Sequence, residues 1–115
     1  MPHQAAGVPD SEFSLDFVQG MCDRMGMSFF KYGRVAAAYP TKVDAIANLK
    51  LRLDRYEHDG NTEWLMDVAN FAMIEFMHPK HPDAHFSPRD NSPGRIWNGE
   101  VNPVQDRNIP EFQRD

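Results

Sequence analysis

Two groups of side chains in this sequence have the types and spacing to do chemistry. Glu63, Asp67 and Asn70 are separated by four and then three residues, so on a helix they share one narrow strip. The strip is the polar one on an otherwise apolar cylinder. Two carboxylates one turn apart supply the hard oxygen ligands that Mg2+ or Mn2+ takes, and could equally orient a water as general bases. The competing reading is a solvent-facing seam whose carboxylates pair with Lys50, Arg52 or Arg55. Asn70 stands in mid-helix among Val68, Ala69, Phe71 and Ala72, where an amide needs a specific hydrogen-bond partner.

The second group is His78, His81 and His85, in His-Pro-Lys-His-Pro-Asp-Ala-His, with Asp83 as a possible fourth member. Imidazoles three and four residues apart suit a zinc site. Pro79 and Pro82 preclude a regular helix there, and the competing reading is a rigid, extended exit whose histidines cap the last helical carbonyls. A third feature, Lys31-Tyr32-Gly33-Arg34, would present cations and a phenol to a phosphate. Cys22, beside Met21 and Met25, reads as packing. Gly26, Gly33 and Gly60 stand alone, without the glycine-rich loop that cradles phosphates.

Helices must position these groups. Residues 1–10 read as a flexible arm with two prolines and no periodicity. Ser11 or Ser14 caps a first helix on which Phe13, Phe17, Met21 and Met25 recur every fourth residue. Gly26 weakens or ends it, and Met27 to Gly33 reads as a further short helical piece. Thr41, with Asp44 three residues on, resembles a capping box opening a second helix. Its apolar face is Ala45, Ile46, Leu49, Leu53 and Tyr56, and Asp59-Gly60 stops it. Asn61 or Thr62 caps a third helix that runs until Pro79 restricts His78. Its apolar residues cover nearly the whole circumference, which predicts burial on most sides. Residues 79–115, with prolines at 79, 82, 88, 93, 103 and 110, predict an irregular tail that Ile96, Trp97, Val101 and Val104 could tack down. The expected fold is all-α: a small three-helix antiparallel bundle over residues 11–78 with an irregular proline-rich C-terminal tail.

Composition bounds the function. The chain has 115 residues, 41% hydrophobic and 25% charged, an ordinary globular balance. With 17 acidic against 12 basic residues the formal net charge is −5, which argues against a broad nucleic-acid-binding face. One cysteine cannot form an internal disulfide. No apolar run approaches the length of a membrane span, so the expectation is a cytoplasmic protein without membrane attachment. So small a core predicts a homo-oligomer.

Ser-Phe-Phe-Lys-Tyr-Gly (28–33), the Leu-rich second helix from Asp44 to Tyr56, and Asp-Gly-Asn-Thr-Glu-Trp-Leu-Met-Asp-Val-Ala-Asn-Phe (59–71) resemble a group of small phage-encoded helical proteins. That group includes domains described as dATP/dGTP diphosphohydrolase N-terminal regions, and the segment is also similar to the all-α MazG-like nucleotide pyrophosphohydrolases. The resemblance covers residues 25–77. It implies a nucleotide ligand and, for a MazG-like enzyme, magnesium held by acids on two helices. Glu63 and Asp67 match the second set, with Asp54 or Glu57 as candidates to complete it. A Glu-Glu-x-x-Glu cluster for the first set is absent. Two functions follow as expectations. The first is a phage-type accessory protein binding a nucleotide or a host protein without catalysis, through Glu63, Asp67, Asn70, Lys31 and Arg34. The second is a metal-dependent nucleoside triphosphate pyrophosphohydrolase.

Overall fold

The computed structural model describes residues 7–89, 96–97 and 100–101, and the chain divides into two compact units, Met1–Ala84 and His85–Asp115. In the first unit a 3₁₀ turn at Asp10–Glu12 precedes α1 (Leu15–Tyr32), the one-turn α2 (Val35–Ala38), α3 (Ala45–Asp59) and α4 (Glu63–Met77). In the second, β1 (Ile96–Trp97) and β2 (Glu100–Val101) pair antiparallel, with Ile96 opposite Val101 and Trp97 opposite Glu100. That short ladder is the one departure from the expected irregular tail among the described residues. The rest of the tail and residues 1–6 of the expected arm lie outside the described residues, as do the side chains assigned to tacking the tail down. The fold of the first unit is the small helical bundle that the sequence predicts.

Ser14 starts α1 by accepting the Phe17 N–H at 3.0 Å. The helix then runs unbroken to Gly33, whose φ of 89° ends it. The stop expected at Gly26 does not occur. A mid-helix glycine costs only about 1 kcal/mol, which a continuous hydrogen-bond ladder outweighs. Gly20 has a positive use, because a Cβ there would fall on the Sδ and Cε of Met66. The missing side chain lets α1 approach α4.

The start expected at Thr41 is also displaced. Lys42 and Val43 instead donate to the Ala38 carbonyl in a turn that contains a cis Tyr39–Pro40 bond, and Asp44 is the cap, accepting the Ala47 N–H at 3.0 Å. Gly60, at φ 74°, closes α3 in the left-handed conformation. Asp59 and Asn61 organise the short link: Asn61 N–H donates to Asp59 Oδ1, and Glu63 N–H donates to Asn61 Oδ1. Trp64 Nε1 adds a hydrogen bond to the same Asp59 carboxylate. So brief a connection makes α3 and α4 antiparallel neighbours, and they form the most extensive helix pair.

Past α4 the chain stays with the helices. Lys80 N–H donates to Glu75 Oε2 at 2.8 Å, and Lys80 Nζ reaches Asp44 Oδ2 at 2.9 Å. These residues belong to the first unit, which extends to Ala84.

α4 packs against both α3 and α1, yet its burial is shallower than its apolar circumference predicts. Among the described residues only Ala45, Asn70 and Ile74 are buried. Phe76 is 74% exposed. The inner face of α3 is turned relative to the expected one: Ala45 is buried and Asn48, Leu49, Arg52 and Tyr56 are half-buried, while Ile46 and Leu53 are exposed. Polar Asn48 and Arg52 point inward because a cleft opens there. None of the described helices is long and apolar enough to cross a membrane.

Candidate cationic cleft

The strip of Glu63, Asp67 and Asn70 faces α1, and α1 supplies its partners. Arg24 lies over the two acids. Its Nε and Nη2 reach Asp67 Oδ1 at 2.5 Å and Oδ2 at 3.2 Å, and its Nη1 reaches Glu63 Oε2 at 2.6 Å. The fork on Asp67 is bidentate, the strong and directional form of this pair. Hydrogen bonding to Asp67 dominates the upward shift of the Arg24 pKa, which partial burial opposes. The Asn70 Nδ2 has a partner, donating to the Met21 carbonyl at 3.0 Å, while its buried Oδ1 accepts no hydrogen bond from the described residues. The amide is thus a tie between helices.

Arg24 therefore stands where the sequence reading places Mg2+ or Mn2+. The oxygens of Glu63 and Asp67 already face a fixed guanidinium cation, and Asp54 and Glu57 lie exposed on α3. This donor set does not fit a divalent ion. The solvent-seam reading is closer, although its chief cation comes from α1. Arg52 contributes more weakly, with Nε 4.0 Å from Asp67 Oδ2.

Within the first unit, His78 and His81 each have a local role. His78 caps the C-terminus of α4 and donates its N–H to the Ile74 carbonyl. His81 Nδ1 accepts the Asp83 N–H at 2.9 Å, and His85 belongs to the second unit. Glu75, not an imidazole, organises the exit from α4 through Lys80. No group of three or more His, Cys, Asp or Glu side chains able to hold a metal ion occurs among the described residues.

The structure does assemble a cleft of about 530 Å³ between α1, the α2 turn, α3 and α4. Four cations line it: Arg24, Lys31, Arg34 and Arg52. Asp67, already paired with Arg24, is the one carboxylate on its wall. Tyr32, Tyr39 and Phe71 form aromatic walls, and Ser28 and Asn48 add neutral polar groups. Two local devices hold the cations in place. Arg52 Nη1 donates to Asn48 Oδ1 at 2.6 Å while its guanidinium lies 4.9 Å from the centre of the Phe71 ring, a stacked arrangement that Arg favours. Arg34 sits 5.9 Å from the Phe29 ring centre. Burial raises the pKa of the Tyr39 phenol, with Arg52 partly offsetting the shift, so Tyr39 keeps its proton and can donate.

Of the sequence-predicted site residues, Lys31, Arg34 and Asp67 line this cleft, whereas Glu63 and Asn70 do not. Arg24, Asn48, Arg52 and Tyr39 were missed as site members. Arg52 carried a signal, since it falls three and four residues from Leu49, Tyr56 and Asn48 along the inner face. Arg24 carried none: its meeting with Asp67 spans 43 residues of sequence.

Taken together, the first unit is a thin helical bundle whose polar inner faces enclose a positively charged cleft. Comparison with protein-family models, curated proteins and solved structures finds no match to this chain.

Proposed function

We propose that this protein binds a phosphate-bearing ligand of nucleotide type in the cleft, without catalysis, as a small accessory protein of the phage kind. The observation that carries the reading is charge: four cationic side chains against one paired carboxylate line a single cleft, in a chain whose net charge is −5. Convergent guanidinium groups are suited to phosphate, because their donors match its oxygens two at a time. The volume falls in the range of small-molecule sites. Phosphates meet Lys31 and Arg34, and an aromatic base lies against Tyr32 and Tyr39.

The metal-dependent pyrophosphohydrolase is the weaker alternative, since Arg24 already engages Glu63 and Asp67. A panel of nucleoside mono-, di- and triphosphates tests both readings by thermal shift and phosphate release. Binding predicts a rise in Tm with triphosphates, a weakening with salt, and about a tenfold loss of affinity (~1.4 kcal/mol) in K31A or R34A. Pyrophosphate release that requires magnesium would favour the enzyme. No shift with any nucleotide, together with a stoichiometric protein captured from host lysate, would favour a host-protein ligand.

A further inference from the structure

The cleft is not uniform in charge along its length. At one end Arg24 and Arg52 gather around Asp67, and Arg24 also reaches Glu63. Two cations there face two carboxylates, so that end is close to neutral. Lys31 stands seven residues beyond Arg24 on α1, a rise of about 10 Å, and Arg34 follows it. Neither Lys31 nor Arg34 forms an ion pair among the described residues, so this second end keeps its positive charge. A phosphate chain belongs at the second end. The Asp67 carboxylate repels it from the first.

The neutral end offers hydrogen-bond donors instead. Its side-chain acceptors are engaged: Asn48 Oδ1 accepts from Arg52 Nη1 at 2.6 Å, and both Asp67 oxygens accept from Arg24. Two donors are left over. Arg52 Nη2 and the Tyr39 hydroxyl make no hydrogen bond among the described residues, and burial keeps the phenol protonated. Arg52 stands half-buried on the inner face of α3, with its Nε buried without an acceptor and 4.0 Å from Asp67 Oδ2. An unmet guanidinium donor disfavours the folded state. Asn48 and the Phe71 ring, 4.9 Å away, nevertheless fix the direction of the group. A planar fork held in place with unused donors suits a ligand edge rich in acceptors.

We infer that Arg52 and Tyr39 select the base of the ligand, and that this base is guanine or hypoxanthine, whose O6 and N7 are adjacent acceptors on one edge. The inference rests on the nucleotide reading given above and sharpens it. Arginine donating to O6 and N7 is the commonest specific contact to guanine in nucleic-acid recognition. Adenine sets its N6 amino group where O6 would be, and cytosine its N4 amino group, so each brings a donor to a donor. Uracil and thymine offer a single acceptor, O4, on that edge. The base lies against the Tyr39 ring, whose centre is 6.5 Å from that of Phe71. Its acceptor edge turns to Arg52, and its phosphates reach Lys31 and Arg34. Asn48 acts through Arg52 as a positioning residue.

Calorimetric titration of the full chain with GTP, ITP, 7-deaza-GTP and ATP tests the selection without any substitution. The expected result is equal affinity for GTP and ITP, both on the order of tenfold tighter than ATP. The 7-deaza analogue, which lacks the N7 acceptor, should fall between. R52M, which keeps an apolar stem against Phe71, should bring GTP down to the level of ATP. R34A should lower GTP and ATP by the same factor and preserve their ratio. Equal affinity for GTP and ATP, tighter ATP, a GTP preference that ITP does not share, or one that R52M retains would overturn the inference while leaving the phosphate reading in place. Should R52M fail to fold, the analogue series on the unsubstituted protein decides. Absence of binding by every nucleotide would remove the nucleotide reading and this inference with it.

Discussion

The two seams that α4 makes differ in kind. Against α3 it forms an antiparallel hairpin, closed by a glycine stop and an Asp59–Asn61 link. Against α1 it forms a polar crossing: a bidentate arginine, an amide on a backbone carbonyl, and a glycine that lets a methionine in. The first seam is local in sequence and the more extensive of the two. The second sets the direction in which α1 leaves α4, and with it the wall of the cleft.

Substitutions aimed at one seam at a time should separate these roles. The largest effect is expected from I74A, which opens a cavity in a thin core and should cost about 2–4 kcal/mol with loss of the whole helical transition in denaturant melts. Next comes R24A. It leaves the half-buried Asp67 without its chief partner, for a loss of about 1–3 kcal/mol. Hydrogen exchange should quicken selectively in α1 while α3 remains protected. If α3 and α1 exchange faster together, the two seams are one cooperative unit and the distinction fails.

Two glycines sharpen the comparison further. G60A forces a Cβ into a left-handed conformation and should destabilise the α3–α4 link by about 1 kcal/mol. G26A, in open space in mid-α1, should stabilise by about 0.5–1 kcal/mol through helix propensity. Opposite signs in thermal melts are the expected outcome.

The smallest effect is an acid one. Asp44 and Asp59 both titrate below the ordinary aspartate range, Asp44 chiefly through the Ala47 N–H and then Lys80, Asp59 chiefly through the Asn61 N–H and then Trp64. Folded-state values below the unfolded ones mean that their contribution is complete above about pH 4 and is lost as pH falls through the lowered values. Tm should therefore decline as pH falls below about 4, and D44N, which keeps a capping side chain but loses the Lys80 ion pair, should flatten that slope.

The contrast between the seams also explains what could be read in advance. Apolar period, Asp-Gly and Pro mark the ends of α3 and α4 because those signals are local. The extent of α1 was misjudged at Gly26, where the penalty of one glycine is smaller than the ladder it interrupts. On α3, counting only apolar residues placed Ile46 and Leu53 inward, whereas Asn48 and Arg52 occupy that face because a polar cleft needs them. For the site, Lys31 and Arg34 were legible as adjacent cations. The partner of Glu63 and Asp67 was not, since a carboxylate pair one turn apart looks the same whether a metal ion or a distant guanidinium meets it.

That difference is what the account rests on, and calorimetric titration of a nucleoside triphosphate into the full chain in the presence of EDTA measures it directly. The result predicted is saturable binding without any divalent metal, weakened by salt and by R34A. Heat of binding that appears only when magnesium is supplied, or no binding in either condition, would contradict it.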